Sequence, residues 1–310
     1  MIYCFIGFGN HAKNRILPVL RDLKVVDIYV FSETYKNNSE GLLLLNSRKE
    51  LKDLTILHND VRFIVTRPAG FRLEILEYLS SLNCSIFLEK PLSNIEEFDE
   101  LKTITKASKA KFIAGYMYKY SSHYEVFNNF IESNSGRNSL QVNFEIPNYS
   151  RNTYRDLNTD TNNLVYDISC YASPLLLDLK IPIENLEFNF SKKNNRQCIQ
   201  IFSKNQELIN VKFTFCLGGK YKNVLTSKFS DNFVRIEPFF WGRRDKPKIE
   251  SSDSISYEHD SYFPGFETML SLKKAKHEKE HQYFINLLQL ENRLFKHLIQ
   301  NIGVEKVEFI

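Results

Sequence analysis

Three small residues near the amino terminus stand at a spacing that suits a nucleotide. Gly7, Gly9 and Ala12 in "CFIGFGNHA" form G-x-G-x-x-A directly after an apolar run. In such a turn the first glycine permits a tight bend and the second lets the backbone approach a pyrophosphate. The alanine lets the following helix pack closely on the sheet, and the free N–H groups of its first turn then face the phosphates. The plain alternative is a structural tight turn. The strand–turn–helix context is what makes the motif a dinucleotide site.

The next chemistry expected is a carboxylate after the second strand, to bind the ribose. "VFSETYK" offers Ser32 at that position and Glu33 next to it. A carboxylate selects NAD, because it binds the 2′-hydroxyl and repels a 2′-phosphate. Ser32 with Thr34 and Lys36 instead suits a phosphate, so the sequence leaves NAD or NADP open.

A third group stands in "IFLEKPLS", where a short apolar strand ends in Glu89, Lys90 and Pro91. Ligands of doubly wound sheets sit beyond the carboxyl ends of the strands, and Lys90 is expected there. Pro91 fixes the local backbone and aims the lysine. A lysine beside a cationic nicotinamide and partly buried has a lowered pKa and can serve acid–base chemistry. On its own, E-K-P favours the plainer reading, a surface lysine before a helix-capping turn.

"HEKEH", His277 to His281, matches the zinc-binding pattern H-E-x-x-H. It lies in a strongly charged stretch, and a solvated helix start is the expectation there, with no metal site.

The elements that must position these groups are legible in outline. The first 120 residues alternate strand and helix signals: "MIYCFIGF", "VVDIYVFS", "DVRFIVTR", "CSIFLEKP" and "KFIAGYMY" read as strands. Helical patterns lie between them, including "HAKNRILPVLRDL", "FRLEILEYLSSL", a segment within "SEGLLLLNSRKEL", and a helix opened by a Ser93–Glu96 capping box. Repeated β-α-β units predict a parallel, doubly wound Rossmann sheet. The second half predicts an α+β domain with an open, mostly antiparallel mixed sheet, from "SLQVNFEI", "LEFNFS", "QCIQIFS", "ELINVKFTFC" and "FVRIEPFF". A helical stretch "NLVYDISCYASPLLLDL" precedes most of these, and a helix over 270–300 nearly closes the chain. The boundary is expected near residue 120, giving domains 1–120 and 121–310.

The totals exclude several classes. The chain has 310 residues, 41 Lys plus Arg against 37 Asp plus Glu, and a net charge of +4. That balance gives no basis for nucleic-acid binding. No run of about 18 apolar residues exists to cross a membrane, and the amino terminus reads as a strand rather than a signal peptide. The five cysteines are widely spaced with no C-x-x-C, so no disulfide framework or zinc site is expected. Buried free thiols imply a reducing, cytoplasmic setting.

Four stretches together, Gly7-x-Gly9-x-x-Ala12, "RPAGFRLEIL", "FLEKPLS" and "FIAGYMYKY", resemble the glucose–fructose oxidoreductase / inositol dehydrogenase / rhizopine-catabolism (Gfo/Idh/MocA) family. The order of elements is similar over most of the chain, and the motifs are sharp in the first 120 residues. The resemblance implies hydride transfer between NAD(P) and a sugar, sugar-nucleotide or cyclitol-like hydroxyl or carbonyl. It places Lys90 beside the nicotinamide.

The family's second signature, D-x-G-x-H or D-x-G-x-Y, is matched by Asp167 and Tyr171 in "YDISCYAS", with Ser169 replacing the glycine. In a helix these two share a face. The resemblance makes Tyr171 the proton donor or acceptor, has Lys90 lower its pKa, and has Asp167 orient the reacting groups. The plain reading puts Tyr171 on an apolar stripe with Leu164, Ile168, Leu175 and Leu179, and Ser173-Pro174 can start a new helix there. Phe71 stands where the family often has His, and Arg67 where Pro is common. "DTNN" replaces the usual glycine pair before the Asp helix.

The implied cofactor set is Gly7, Phe8, Gly9, Asn10, His11, Ala12, Ser32, Glu33, Thr66, Arg67, Pro68, Glu89 and Lys90. The implied substrate set adds Lys119 and Arg155. Two rival functions use the same scaffold: a reductase of a non-sugar C=N or C=O compound, as in thiazolinyl imine and biliverdin reductases, and a cofactor-binding sensor without turnover. The open sheet of the second domain is expected to pair with its copy in a homodimer or higher homo-oligomer.

Overall fold

A computed structural model describes residues 1–36, 40–134, 138–147, 163–204, 209–243, 245–252 and 263–302. The chain forms two compact units, one of Met1–Gly115 with Met269–Asn292 and the other of Tyr116–Thr268 with Arg293–Ile310.

The first unit holds a six-stranded parallel sheet. Its strands are β1 (Ile2–Ile6), β2 (Ile28–Phe31), β3 (Leu43–Leu45), β4 (Val61–Val65), β5 (Ser85–Leu88) and β6 (Lys111–Ala114), in the order β3-β2-β1-β4-β5-β6. This is the doubly wound dinucleotide-binding order, whose strand sequence reverses between β1 and β4. β1, β4 and β5 are buried at every position, as strands covered on both faces must be, and this accounts for their apolar character, interrupted by Arg62 in β4 and Ser85 in β5. β3 was not visible in the sequence: "SEGLLLLNSRKEL" shows only a helical segment, and helix α2 (Arg48–Leu57) does begin there, after the Ser47 cap, while Leu43–Leu45 is an edge strand.

The first helix departs from a regular α-helix. Residues Ala12–Ile16 are π-helical and α1 (Leu17–Asp22) follows. Pro18 carries no N–H, so the ordinary ladder is broken there. The Leu17 N–H reaches back to Ala12 C=O, a five-residue step.

Helices α3 (Leu73–Ser80) and α4 (Phe98–Ala107) complete the alternation. The expected Ser93–Glu96 capping box does not form. Ser93 Oγ has no hydrogen-bond partner among the described residues, and Asn94 Oδ1 accepts the Glu97 N–H at 2.8 Å instead.

The second unit contains α5 (Ser122–Ser133), α6 (Ala172–Asp178) and a seven-stranded mixed sheet. Its strands are β7 (Asn138–Ile146), β8 (Leu186–Lys193), β9 (Arg196–Ser203), β10 (Ile209–Leu217), β11 (Lys222–Phe229), β12 (Asn232–Glu237) and β13 (Lys248–Ser251). The order is β13-β12-β11-β7-β10-β9-β8, antiparallel except for the β7–β10 pair. Leu140, Val142, Phe213, Phe215, Ile199, Ile201 and Leu225 are buried on one face. Gln141, Lys212, Gln200, Thr214 and Thr226 alternate with them and are half-buried or exposed, so the other face is polar. β11 and β13 escaped the sequence reading, because "KNVLTSKF" and "KIES" alternate weakly.

A short helix, α7 (Gly265–Leu270), and a long one, α8 (His277–Ile302), follow the sheet in sequence.

The cysteines correct one expectation. Cys198 and Cys216 form a disulfide, their Cα atoms 4.2 Å apart, while Cys4, Cys84 and Cys170 are free and buried. The antiparallel register sets Cys216 directly opposite Cys198. Their separation of 18 residues gives no local motif, which is why the spacing concealed the pair.

Candidate active site

Every candidate cofactor residue of the first unit lies at, or just beyond, the carboxyl end of a strand. Gly7 follows β1, Ser32 and Glu33 follow β2, Thr66 to Pro68 follow β4, and Glu89 and Lys90 follow β5. A parallel sheet delivers all its strand ends to one edge, so residues far apart in sequence converge there.

Gly7 has φ +83°, a left-handed conformation open to glycine. Its N–H donates to Phe31 C=O at 2.9 Å, and its C=O accepts from Thr66 Oγ1 at 2.9 Å. The turn is thereby tied to the ends of β2 and β4. A Cβ on Gly7 would meet Arg67 Cγ at 3.0 Å, whereas a Cβ on Gly9 would meet nothing within 4 Å. Gly9 is therefore not required by the protein's own packing, and the space over it suits a phosphate approaching the backbone. Gly9, Asn10 and His11 are exposed, Ala12 is fully buried, and Phe8 is buried with its ring 4.7 Å from that of Tyr35.

At the end of β2, Ser32 Oγ accepts from the Thr34 and Tyr35 N–H groups at 3.4 and 3.3 Å and lies 3.3 Å from Thr34 Oγ1. Glu33 points its carboxylate at Arg67, with Nη2 to Oε1 at 2.9 Å. Neither this pair nor its link to the glycine turn was legible in the sequence.

Lys90 is half-buried and precedes Pro91 through a cis peptide. Glu89 is buried, and its Oε2 lies 3.4 Å from His11 Nε2, so the helix start and the β5 end meet. The carbonyls of Glu89 and Pro91 both accept from the guanidinium of Arg72, a buried residue that the sequence reading missed. Gly115 was missed as well: a Cβ there would stand 2.8 Å from Glu89 Cα and 2.8 Å from Leu88 O. Both lie within stretches that carry the family resemblance, but neither was singled out there. A buried arginine looks like a solvated one until its partners are known. Phe71, which opens the helical pattern "FRLEILEYLSSL", is half exposed and precedes the helix itself.

In the second unit Asp167 lies in a π-helical turn, Asn163–Ile168, and Tyr171 in a 3-10 turn, Ser169–Tyr171, before α6. The i,i+4 alignment expected of an α-helix does not describe this segment, because neither turn has the α-helical period. A new helix does start after Tyr171, at Ala172. Asp167 and Tyr171 are buried, with 7% and 8% exposure. The Tyr171 ring is enclosed by Phe240, Phe144, Tyr118 and Tyr116 at 4.8, 5.1, 6.0 and 6.2 Å, and its carbonyl accepts from Tyr118 Oη at 2.9 Å. Lys119 lines a cavity of about 230 Å³ with Tyr120, Ser122, Glu125 and Phe263. Arg155 lies outside the described residues.

The H-E-x-x-H histidines are not solvated. His277 and His281 are both buried against the first unit's sheet. His277 Nδ1 lies 2.7 Å from Ser85 Oγ, and His281 Nδ1 accepts the Phe112 N–H at 3.1 Å. Burial lowers the pKa of each, so both are neutral docking groups for α8. The charged residues between them misled the sequence reading, since an amphipathic helix can be charged on one face and buried on the other. Among the described residues, no group of three or more His, Cys, Asp or Glu is placed to hold a metal.

No protein-family model matches the sequence. No curated protein is similar in sequence either. Solved structures are similar in fold. A 3-ketoreductase from Actinomadura kijaniata, in complex with NADP and TDP-benzene, matches with a TM-score of 0.73 and 14% identity, over 97% of each chain. The same enzyme was also crystallised with a lysine replaced by alanine and with a tyrosine replaced by phenylalanine. A dehydrogenase from Chromobacterium violaceum matches at 0.66 and 11% identity, covering 97% of this chain and 94% of its own. An aldose-aldose oxidoreductase from Caulobacter crescentus, complexed with glycerol, matches at 0.68 and 12%, covering 97% and 98%. The likeness to the Gfo/Idh/MocA family read from the sequence thus holds at the level of the fold, which this chain shares with two-domain oxidoreductases over nearly its whole length.

Proposed function

We propose that the protein is an NAD(P)-dependent oxidoreductase acting on a hydroxyl or carbonyl of a sugar, sugar-nucleotide or cyclitol-like small molecule. The observation that carries this reading is the open space over Gly9, at the β1–β4 reversal of a doubly wound sheet. The substrate class is supported by the neighbours, a ketoreductase holding a TDP compound and an aldose oxidoreductase.

A bound nicotinamide supplies or accepts the hydride. The chain's residues do the rest. Gly9, Asn10 and His11 present backbone N–H groups to the pyrophosphate, and Ser32, Thr34 and Arg67 take the ribose end. Lys90 is proposed to hydrogen-bond substrate or tune acid–base chemistry, Tyr171 to give or take the proton, and Asp167 to orient the reacting groups. Lys119 and Arg155 are proposed to bind substrate.

The experiment is a fluorescence titration of the protein with NADPH and NADH, followed by a screen of keto-sugar nucleotides and aldoses. Saturable binding with turnover that Lys90→Ala and Tyr171→Phe abolish is expected. One observation favours the rival sensor: the aromatic enclosure of Tyr171. Turnover unaffected by Tyr171→Phe would sink its catalytic role, and cofactor binding with no turnover on any class tried would favour the sensor.

No helix among the described residues is long and apolar enough to cross a membrane. We place the protein in the cytoplasm, where nicotinamide cofactors are supplied. The cysteines no longer argue for it, since two of the five are paired. Self-association is proposed through the open sheet of the second unit. Its outward row is polar, so a dimer formed there should weaken with salt in light scattering.

A further inference from the structure

We propose that Arg72 is a positioning residue for Lys90, one that fixes the backbone on both sides of it. The proposal rests on the function above for what Lys90 does, though not for how Lys90 is held. Arg72 is 2% exposed. Its Nη1 donates to Glu89 C=O at 2.9 Å and to Arg67 C=O at 3.4 Å, and its Nη2 donates to Pro91 C=O. Glu89 and Pro91 are the immediate neighbours of Lys90. A guanidinium carries its N–H groups in a rigid planar fork, so engaging both carbonyls sets the spacing of the chain across Lys90.

Two further observations fit this role. Gly115 leaves no room beneath the same segment, because any Cβ would stand 2.8 Å from Glu89 Cα. A buried charge is costly unless hydrogen-bonded and balanced. Arg72 has three carbonyl acceptors, and the buried Glu97 carboxylate attracts it. An apolar residue would serve packing alone. A charge that binds carbonyls of the loops after β4 and β5 serves the geometry of those loops.

The test reads Lys90 itself. Trace acetylation with acetic anhydride across a pH series, quantified by peptide mass spectrometry, gives the reactivity profile of each lysine. Arg72→Lys keeps the charge but cannot span both carbonyls. Arg72→Met with Glu97→Gln removes the charge without leaving a buried carboxylate. Gly115→Ala displaces the same segment with Arg72 intact.

In folded variants the Lys90 profile is expected to move by about one pH unit, about tenfold in rate at fixed pH, while Lys102 and Lys119 keep theirs. A wild-type Lys90 profile in folded Arg72→Lys would overturn the proposal, whatever the melting temperature does. Failure of both Arg72 variants to fold would also overturn it, by assigning Arg72 to the fold alone. Should Lys90→Ala retain full turnover while the profile shift stands, the catalytic reading of Lys90 fails and the positioning by Arg72 survives.

Discussion

Glu33 and Arg67 hold each other 2.9 Å apart, across the loops that follow β2 and β4. The carboxylate that would read a ribose 2′-hydroxyl is therefore engaged by a guanidinium that would read a 2′-phosphate. Glu33→Gln should release Arg67 and strengthen NADPH binding relative to NADH. An exposed pair of this kind holds roughly 0.2–1 kcal/mol, so the expected gain is up to about fivefold. Arg67→Ala should cost NADPH more than NADH. Titrations of both cofactors at low and high salt check this, and equal losses for the two would refute it.

The two glycines of the turn should separate folding from binding. Gly9→Ala adds a methyl in open space and is expected to leave stability within about 0.5 kcal/mol, while NADPH affinity falls at least tenfold. Gly7→Ala forces a left-handed residue against Arg67, costing roughly 1–2 kcal/mol before relaxation. Thermal melts and titrations of the pair test the contrast. Unchanged cofactor affinity in Gly9→Ala would remove the main support for the nucleotide site.

Three buried histidines predict acid sensitivity. Burial lowers the pKa of His123 to about 4 and lowers those of His277 and His281. His123 Nε2 donates to Phe239 C=O at 2.6 Å, and its ring lies against that residue. The folded state keeps these rings neutral and the unfolded chain protonates them near pH 6.5, so the unfolded state binds more protons on acidification. Stability should be level in this respect above about pH 6.5 and should fall as the pH drops. The His123 contribution reaches roughly 3 kcal/mol near pH 4. Glu97, whose pKa burial raises, acts in the opposite sense at the acid end. Urea midpoints between pH 7.5 and 4 measure the slope, and replacing His123 by Gln should flatten it.

The Cys198–Cys216 bond closes a loop of separation 18. A closure of that length stabilises by roughly 3 kcal/mol in the chain-entropy account. Reduction should lower the urea midpoint accordingly. Thiol titration of the unreduced, denatured protein should count three groups, for Cys4, Cys84 and Cys170. Five thiols, with no change on adding reductant, would show that the pair is open in solution.

Sequence periodicity revealed the fold wherever burial is uniform or cleanly alternating. β1, β4 and β5 are apolar but for Arg62 and Ser85, and the helices between them show their stripe. β3, β11 and β13 are edge or weakly alternating strands, held by ladder bonds that leave little trace in side-chain type. At the site, residues with an intrinsic backbone demand were legible, Gly7 above all. Arg72 and Gly115 were not, because their value lies in which distant carbonyl or Cα they meet. Cys198 and Cys216 were hidden for the same reason: strand register, not spacing, makes them neighbours. Asp167 and Tyr171 were found as types, but their helical phase was misjudged, since π and 3-10 turns leave no period to read.

The helix α8 closes the first unit from the far end of the chain. As far as Asn292 it belongs with Met1–Gly115, and it sets His277 beside Phe87 and lays His281 and Phe284 on Phe112. During synthesis, the residues that form the six-stranded sheet therefore emerge from the ribosome long before the segment that covers β5 and β6. Until then Phe87 and Phe112 lack that cover, and the nascent chain exposes apolar surface of the kind that favours aggregation. The same exposure makes any fragment ending at Gly115 a poor substitute for the nucleotide-binding unit.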